Sequence, residues 1–245
     1  MYTSLAQLYD RLMDDVDYAA WARYYISLIE QYGKKPASLL ECACGTGSLT
    51  KELAKWGFKL TATDLSEEML EAAGEKLRKS GARVPLVKQD MRLLEVPRKV
   101  EAVISCCDGA NYLTDDEGML AFAQHAFAAL RCGGVLAFDV SSREKLKNMG
   151  GQTFCDEREE VAAIWKNSFD EKTSLLTMEV SLYVQEESGL YRRYEETHVQ
   201  RGWKEAEVVS ILQKAGFEDV RVFGDRTFEV PRAGEARIHF TAMKP

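Results

Sequence analysis

The sequence predicts an α/β protein with a doubly wound, seven-stranded, mostly parallel sheet. Apolar runs that have the character of strands alternate with amphipathic helical stretches from residue 37 to residue 140, which is typical of a parallel sheet covered by helices on both faces. A glycine-rich turn follows the first of these strands, and an acid ends the second. Beyond residue 140 a stretch with a period of two indicates a small inserted antiparallel β segment.

The first elements follow from apolar spacing and glycine stops. The segment 17–32 is predicted to be a helix because its bulky apolar residues recur at helical spacing, and Gly33 ends it. A strand is expected at 37–43. The helix behind it, 48–56, ends before Gly57.

The next units repeat this order. Residues 58–64 alternate as a strand, and Ser66 is a suitable N-cap for a helix that stops at Gly81. A short strand is expected at 84–88 and a fourth strand at 100–106.

The fifth unit begins with the spacing of a capping box. In such a box Thr114 caps the helix, and the Glu117 side chain accepts a hydrogen bond from the backbone amide of Thr114. The helix is expected to run through Leu130 and to stop at the glycine pair that begins with Gly133. The fifth strand is expected at 135–140.

The inserted segment is expected at 151–200, where apolar and polar residues alternate and 191–200 forms the return strand of a hairpin or small sheet. A helix at 204–215 then leads to strands at 218–223 and 236–243. The last strand is expected to be antiparallel and to close the sheet.

Composition limits the classes of function. The 245 residues carry a net charge of −7, which argues against a nucleic-acid partner because phosphate binding needs a basic face. The residues that could form a local basic patch are Arg192, Arg193 and Arg201. The favoured interpretation is that they lie on a solvated strand face. No signal peptide or membrane span is indicated, so a cytoplasmic protein is expected.

Six cysteines are present, and four of them form two pairs at predicted strand ends: Cys42 with Cys44, and Cys106 with Cys107. A metal site would need several thiolates around one ion. Strand alternation sends Cys106 and Cys107 to opposite faces. Reduced cysteines that pack as small apolar residues, with no metal, are therefore expected.

The turn after the first strand allows three interpretations. A phosphate-binding P-loop would need a Gly-Lys-Ser/Thr ending, which is missing. A dinucleotide fingerprint would begin at Gly45 and Gly47, but its third glycine is Thr50. The third interpretation is a site for S-adenosylmethionine, in which no phosphate must be held. NAD-linked redox chemistry, or another nucleoside-binding role without methyl transfer, stays open as the alternative.

On these residues the chain resembles the class I S-adenosylmethionine-dependent methyltransferases, over most of its length. The family's first motif is an acid, one further residue and then Gly-x-Gly-x-Gly. It corresponds to Glu41 through Gly47, with Ala43 in place of the first glycine. The resemblance implies that Gly45 and Gly47 approach the methionine part of the cofactor. It further implies that Asp64 accepts hydrogen bonds from both ribose hydroxyls.

The resemblance also extends to later strand ends. Leu65 and Met69 would flank the adenine, and the acid of Asp90-Met91 would accept a hydrogen bond from the adenine amino group. The residues expected to border the sulfonium are Cys107, Asp108, Asn111 and Tyr112.

The amino terminus carries a narrower resemblance, to a bacterial small-molecule-type group of this family whose substrates are mostly unassigned. The run from Tyr9 to Met13, followed by Tyr18, supports it. It implies that residues 1–33 form a helical cover on a single 1–245 methyltransferase domain, with Tyr9 or Tyr18 near the cofactor. An aromatic stripe that merely packs a terminal helix is the alternative.

The acceptor is expected to be a small molecule that reacts by in-line displacement, with residues 151–200 as a lid over the pocket. His198 is the first candidate for a catalytic base, because histidine most readily exchanges protons near neutral pH. Strand alternation places it on one face with Tyr194, Glu196 and Gln200; ordinary surface is the alternative. His125 and His239 are expected to be packing residues.

Overall fold

The computed structural model describes Asp10, residues 15–33 and residues 35–245. The α-helices in this part of the chain are α1 (Tyr18–Glu30), α2 (Ser48–Ala54), α3 (Glu67–Ser80), α4 (Asp116–Ala129), α5 (Arg143–Met149) and α6 (Glu205–Lys214). The first strands are β1 (Ser38–Cys42), β2 (Lys59–Asp64), β3 (Leu86–Lys88), β4 (Val100–Ser105), β5 (Leu130–Ser141) and β6 (Thr153–Arg158). The remaining strands are β7 (Val161–Asp170), β8 (Leu175–Gln185), β9 (Tyr191–Arg201), β10 (Glu218–Phe223) and β11 (Arg237–Met243).

Seven strands form the main sheet in the order β10-β11-β5-β4-β1-β2-β3. Strand β11 is antiparallel to both of its neighbours, while β5, β4, β1, β2 and β3 pair in parallel. The predicted fold class is confirmed, including the antiparallel closing strand and the pairing of β1 with β4.

Apolar cores lie on both faces of this sheet. One packs Phe122 of α4 and Trp203 against the sheet, and the other packs Tyr25 of α1 and Leu53 of α2. Each of these four side chains is buried. Within the described residues no helix is both long and apolar enough to cross a membrane.

The boundary between α4 and β5 differs from the prediction. The helix ends at Ala129, and Leu130 already has extended backbone and pairs with Val100. The glycine pair lies within β5, where the register against β4 shifts; Gly133 has a positive φ of 73°. A Cβ on Gly134 would come within 2.9 Å of the Arg131 carbonyl oxygen. These glycines therefore form a strand irregularity and do not stop the helix.

The N-cap of α4 also differs from the prediction. Asp115 caps the helix, and its carboxylate accepts a hydrogen bond from the Gly118 amide at 2.7 Å. The capping box built on Thr114 and Glu117 is therefore wrong by one residue. Asp and Thr both make good caps, and the spacing alone did not distinguish them.

The inserted segment is a separate four-stranded antiparallel sheet in the order β6-β7-β8-β9. Its own apolar cluster is small and contains Ala163, Val180 and Leu182. Helix α5, which the sequence did not predict, links the main sheet to β6. The segment between β5 and α6 thus carries a second sheet next to the carboxyl end of β5.

Candidate functional site

The site lies where the carboxyl ends of neighbouring parallel strands meet, the usual position for ligands in open α/β sheets. Strands β2, β1, β4 and β5 are consecutive in the sheet. Their ends bring together the 41–47 turn, Asp64, the 106–112 segment and the last residues of β5. The predicted strand-end residues are thereby assembled along one edge.

The 41–47 turn uses left-handed backbone at three positions. Ala43, Gly45 and Gly47 have φ values of 53°, 55° and 74°. A Cβ on Gly47 would come within 2.9 Å of the Ala73 Cβ, whereas nothing lies within 4 Å of a Cβ on Gly45. Gly47 is therefore needed for packing between α2 and α3, and Gly45 faces open space. Ala43 occupies the strained conformation that glycine adopts at lower cost.

Asp64 at the end of β2 holds the turn in place. One carboxylate oxygen accepts a hydrogen bond from the Gly45 amide at 2.8 Å, and the other accepts one from the Ser66 amide at 2.9 Å. Each carboxylate oxygen has a further lone pair. The side chain is half-buried, so these lone pairs can accept hydrogen bonds from a ligand in the cleft.

Glu41 is a buried acid, 2% exposed, with no hydrogen-bond partner for its Oε2 atom. Burial raises the pKa of Glu41 to about 8; the nearby Thr50 side chain lowers it and the negative charge of Asp64 raises it further. A buried polar atom without a partner is costly in a folded protein. Its position at the end of β1 suits a polar ligand group that supplies the missing partner.

The predicted adenine residues border the same cleft edge. Leu65 is 62% exposed, an unusual position for a large apolar side chain, and Met69 and Met91 are half-buried. Both carboxylate oxygens of Asp90 are bound by Arg92, at 3.0 Å and 2.5 Å. This pairing lowers the pKa of Asp90. An adenine amino group would share the Asp90 carboxylate with Arg92.

After β4 the backbone turns over a buried carboxylate. Cys107 and Asp108 have φ values of 58° and 68°, and their amides donate to the two oxygens of Asp139 at 2.8 Å and 3.1 Å. Arg237 of β11 bridges the two acids, donating to both oxygens of Asp108 at 2.9 Å and 2.8 Å and to Asp139. Tyr25 also donates to Asp139 at 2.8 Å.

Opposite charges dominate this cluster. Burial alone would raise the pKa of Asp108, but the charges of Arg237 and Lys145 outweigh it and the net pKa is lowered. The same attraction, from Asp139 and Asp108, raises the pKa of Arg237 against its burial. The sequence analysis did not predict Asp139 or Arg237 as site residues. The one signal that could have indicated Asp139 was an acid inside the otherwise apolar 135–140 run.

Asn111 joins the main sheet to the inserted sheet. Its side-chain amide nitrogen donates to the Ser141 and Arg201 carbonyl oxygens at 2.9 Å and 2.8 Å, and its oxygen accepts from the Ser141 amide at 2.8 Å. The side chain is fully buried. These contacts give Asn111 a structural role, and its predicted place beside the sulfonium stays a prediction.

His198 of β9 contacts the main sheet through Tyr112. The Tyr112 hydroxyl lies 3.2 Å from His198 Nδ1, and His198 Nε2 lies 2.9 Å from a carboxylate oxygen of Glu196. The Tyr112 and His198 rings meet edge to face. Two of the residues predicted to share a strand face therefore interact, and the face is directed at the segment after β4.

The amino-terminal part of the site is described only at Asp10 and from residue 15 onward. Asp10 accepts a hydrogen bond from Thr46 at 2.6 Å and pairs with Lys76 at 2.7 Å. Tyr18 lines a cleft of about 460 Å³ beside Asp10 and Ser48. Tyr9 lies outside the described residues, as do Arg11 to Met13.

The other histidines and the cysteines lie in packed surroundings. His239 is fully buried among Trp21, Tyr24 and Tyr25, and one ring nitrogen of His125 lies 3.0 Å from the Leu94 carbonyl oxygen. Cys42, Cys44 and Cys106 are buried free thiols. Among the described residues no group of three or more potential ligands could hold a metal ion. A metal-free protein with reduced cysteines stays a prediction.

Comparisons with known proteins agree with this geometry. Residues 39–134 match the family described as "Methyltransferase domain". The putative methyltransferase YqeM of Bacillus subtilis (strain 168) is 32% identical, over 100% of this chain and 97% of that protein.

Solved structures extend the comparison. An S-adenosylmethionine-dependent methyltransferase from Clostridium acetobutylicum ATCC 824 has a TM-score of 0.89 and 29% identity, covering 99% of this chain and 98% of that chain. The sugar N-methyltransferase KedS8 from Streptoalloteichus sp ATCC 53650 shares the fold, with a TM-score of 0.82 and 22% identity over 100% and 94% of the two chains.

Proposed function

Since this chain belongs to the class I S-adenosylmethionine-dependent methyltransferases, we propose that it methylates a small-molecule acceptor in the cleft between the ends of β1, β2 and β4 and the inserted sheet. Family membership decides against the NAD-linked alternative. When bound, S-adenosylmethionine supplies an electrophilic methyl group on sulfur. The protein then has to orient donor and acceptor and exclude water, which can contribute on the order of 7–11 kcal/mol.

The observation that carries the proposal is the fit of the strand ends to the parts of the cofactor. Open space at Gly45 admits the methionine part, and the unpartnered Oε2 of Glu41 suits its ammonium group. The free lone pairs of Asp64 suit the ribose hydroxyls. The residues that we propose to hold the cofactor are Glu41, Ala43, Gly45, Gly47, Asp64, Leu65, Met69, Asp90, Met91, Cys107 and Asn111, with Tyr9 an expectation from the sequence alone.

The two glycines of the turn provide a matched pair of variants. Gly47→Ala is expected to lose stability because its Cβ meets Ala73, which adds about 1–3 kcal/mol of overpacking to a backbone cost of about 1–2 kcal/mol. Gly45→Ala carries only the backbone cost, yet it fills space assigned to the cofactor. Urea unfolding and calorimetry with S-adenosylhomocysteine measure both effects. Equal affinity of Gly45→Ala and the wild type would contradict the placement.

Binding of the cofactor is expected to be coupled to the protonation state of Glu41. Its pKa of about 8 means that the carboxyl is mostly protonated at pH 7 in the free protein. Contact with an ammonium group favours the ionised form, so binding of S-adenosylhomocysteine at pH 7 should release a proton from Glu41. Calorimetry in buffers of different ionisation enthalpy measures this release. Glu41→Gln is the control and should lack that contribution; an identical release would rule out the assignment.

A small-molecule acceptor is supported by the size and position of the inserted sheet. Strand β9 lies against the 109–112 segment through Asn111 and Tyr112, so residues 151–200 can cover the methyl group and leave a bounded pocket. Fold neighbours include a sugar N-methyltransferase and an amino pentose methyltransferase. The net charge of −7 agrees with a small acceptor more than with a nucleic acid.

The test of the proposed function is a methylation screen. Radiolabelled S-adenosylmethionine is incubated with pools of small metabolites, with a folded RNA and with a mixed protein substrate. Transfer to a small-molecule pool is expected. Transfer confined to RNA or protein would contradict the acceptor class while leaving the cofactor assignment intact.

A further inference from the structure

The contacts around His198 link it to Tyr112 on one side and to Glu196 on the other. We propose that Tyr112 is a catalytic residue that takes the acceptor's proton and passes its own proton to His198, which Glu196 holds in the required tautomer. This inference rests on the proposed function, because it assigns roles within the same cleft.

The tautomer of His198 follows from its partners. A carboxylate oxygen accepts hydrogen bonds and cannot donate one, so His198 Nε2, at 2.9 Å from Glu196, carries the ring proton. When the ring carries this one proton, Nδ1 has a free lone pair, and the Tyr112 hydroxyl at 3.2 Å donates to it. Tyrosine has an ordinary pKa of about 10, so this hydroxyl keeps its proton at neutral pH.

Both ring nitrogens of His198 are thus engaged, so the histidine has no lone pair left to take a proton from an acceptor molecule. The hydroxyl oxygen of Tyr112 still has lone pairs that can do so. A phenol oxygen has two lone pairs besides its proton, and a hydroxyl that donates to His198 uses only the proton. Tyr112 is 51% exposed, so an incoming molecule can reach its oxygen.

Tyr112 also lies next to the residues that follow the parallel strands. It ends the 109–112 segment after β4, the strand that pairs with β1. Its neighbour Asn111 is bound to the end of β5 and to β9, and Tyr112 itself contacts β9 through His198. The hydroxyl therefore lies where the main sheet and the inserted sheet meet.

For an amine that binds as an ammonium ion, the proton passes through both Tyr112 and His198. The ammonium gives a proton to Tyr112 Oη as the Tyr112 proton moves to His198 Nδ1, and the imidazolium is stabilised by Glu196. The freed nitrogen lone pair forms a bond to the methyl carbon while the carbon–sulfur bond breaks and its electron pair stays on sulfur. The products are the methylated ammonium and S-adenosylhomocysteine, and the His198 proton returns to water.

The relay suits an acceptor that arrives protonated. An ammonium ion must give up a proton before its nitrogen lone pair can attack the methyl carbon, and a general base takes that proton. An amine nitrogen is therefore the acceptor atom on which the relay is tested.

The first experiment measures the tautomer directly. The chain has three histidines, so nitrogen NMR of the full-length protein labelled at histidine, with S-adenosylhomocysteine bound, can be assigned with His198→Asn. A protonated Nε2 and an unprotonated, hydrogen-bonded Nδ1 are expected. Tyr112→Phe should shift Nδ1 alone, and Glu196→Gln should populate the other tautomer. A protonated Nδ1 in the wild type, or signals unmoved in both variants, would overturn the relay.

The second experiment uses a panel of primary amines and their matching alcohols. Methylation of amines is expected, with kcat lowered about 10²–10⁴-fold in Tyr112→Phe and His198→Asn and the affinity for S-adenosylhomocysteine within twofold of wild type. Tyr191→Phe and Glu195→Gln, exposed positions on β9, are matched controls that should keep kcat. Unchanged kcat in Tyr112→Phe, or methylation of the alcohols alone, would refute the inference. If no panel member reacts, the NMR result decides.

Failure of the relay and failure of the proposed function give different results. Loss of S-adenosylhomocysteine binding in the wild type would refute the cofactor site. Intact binding with an unmoved His198 would refute the relay alone.

Discussion

Asp64→Ala is expected to weaken binding of S-adenosylhomocysteine about ten- to a hundredfold. Hydrogen bonds to a charged group contribute about 1.5–3 kcal/mol each, and about 1.4 kcal/mol corresponds to a tenfold change in affinity. The carboxylate also orders the turn through the Gly45 and Ser66 amides. Its loss therefore removes the ribose acceptor and loosens the backbone that forms the site. Isothermal titration calorimetry measures the change.

Two controls separate these effects. Asp64→Asn keeps one acceptor oxygen and should lose less affinity than Asp64→Ala. Glu67→Ala, at the start of α3, removes an exposed acid that pairs with Lys88 at 2.9 Å, and it should leave the affinity unchanged. Wild-type affinity in Asp64→Ala would remove Asp64 from the cofactor site.

Arg237→Met is expected to reduce the free energy of unfolding by about 3–5 kcal/mol, the usual cost of leaving a buried charge without its partner. The arginine bridges Asp108 and Asp139, and Asp139 is fully buried. Without it two carboxylates stay close together in the interior. Urea unfolding at pH 7 measures the loss, and Arg131→Met, which removes an exposed arginine 3.5 Å from Glu101, should cost less than about 1 kcal/mol.

The same variant predicts a pH dependence. The pKa of Asp108 is lowered in the folded protein, so its pairing contributes stability above the unfolded value of about 3.9 and loses it as the pH falls further. In Arg237→Met, protonation at low pH relieves the unpaired charge. The difference in unfolding free energy between wild type and variant should therefore shrink below about pH 4. A difference that is constant from pH 7 to pH 3 would contradict the electrostatic origin.

The fold could be predicted from local patterns. Apolar runs with a turn or an N-cap after them gave the strands and most helices, because each of those signals acts within a few residues. The boundary at Leu130 could not be predicted, since the glycine pair lies within β5 and does not end the helix. The Gly133 amide donates to the carbonyl oxygen of Lys244, the residue after β11, at 2.8 Å.

The site, like the fold, could be predicted from the sequence only where the signals are local. The 41–47 turn and Asp64 carry short-range signals, glycines and an acid after strands, and the structure brings them together. The pairing of Arg237 with Asp139 joins residues 98 positions apart, and the contact of Tyr112 with His198 spans 86 positions. Such contacts depend on where the inserted sheet and β11 are placed, and no periodicity in the sequence specifies that placement.

A crystal structure of the protein with S-adenosylhomocysteine tests the central claim most directly. We expect the ribose hydroxyls on the Asp64 carboxylate, the adenine beside Leu65, the amino group of the methionine part toward Glu41, and the sulfur facing the side of the cleft that holds Tyr112. A ligand bound elsewhere, for example in the cleft beside Asp10 and Lys76, would contradict the assignment of the site. So would a ribose that makes no contact with Asp64.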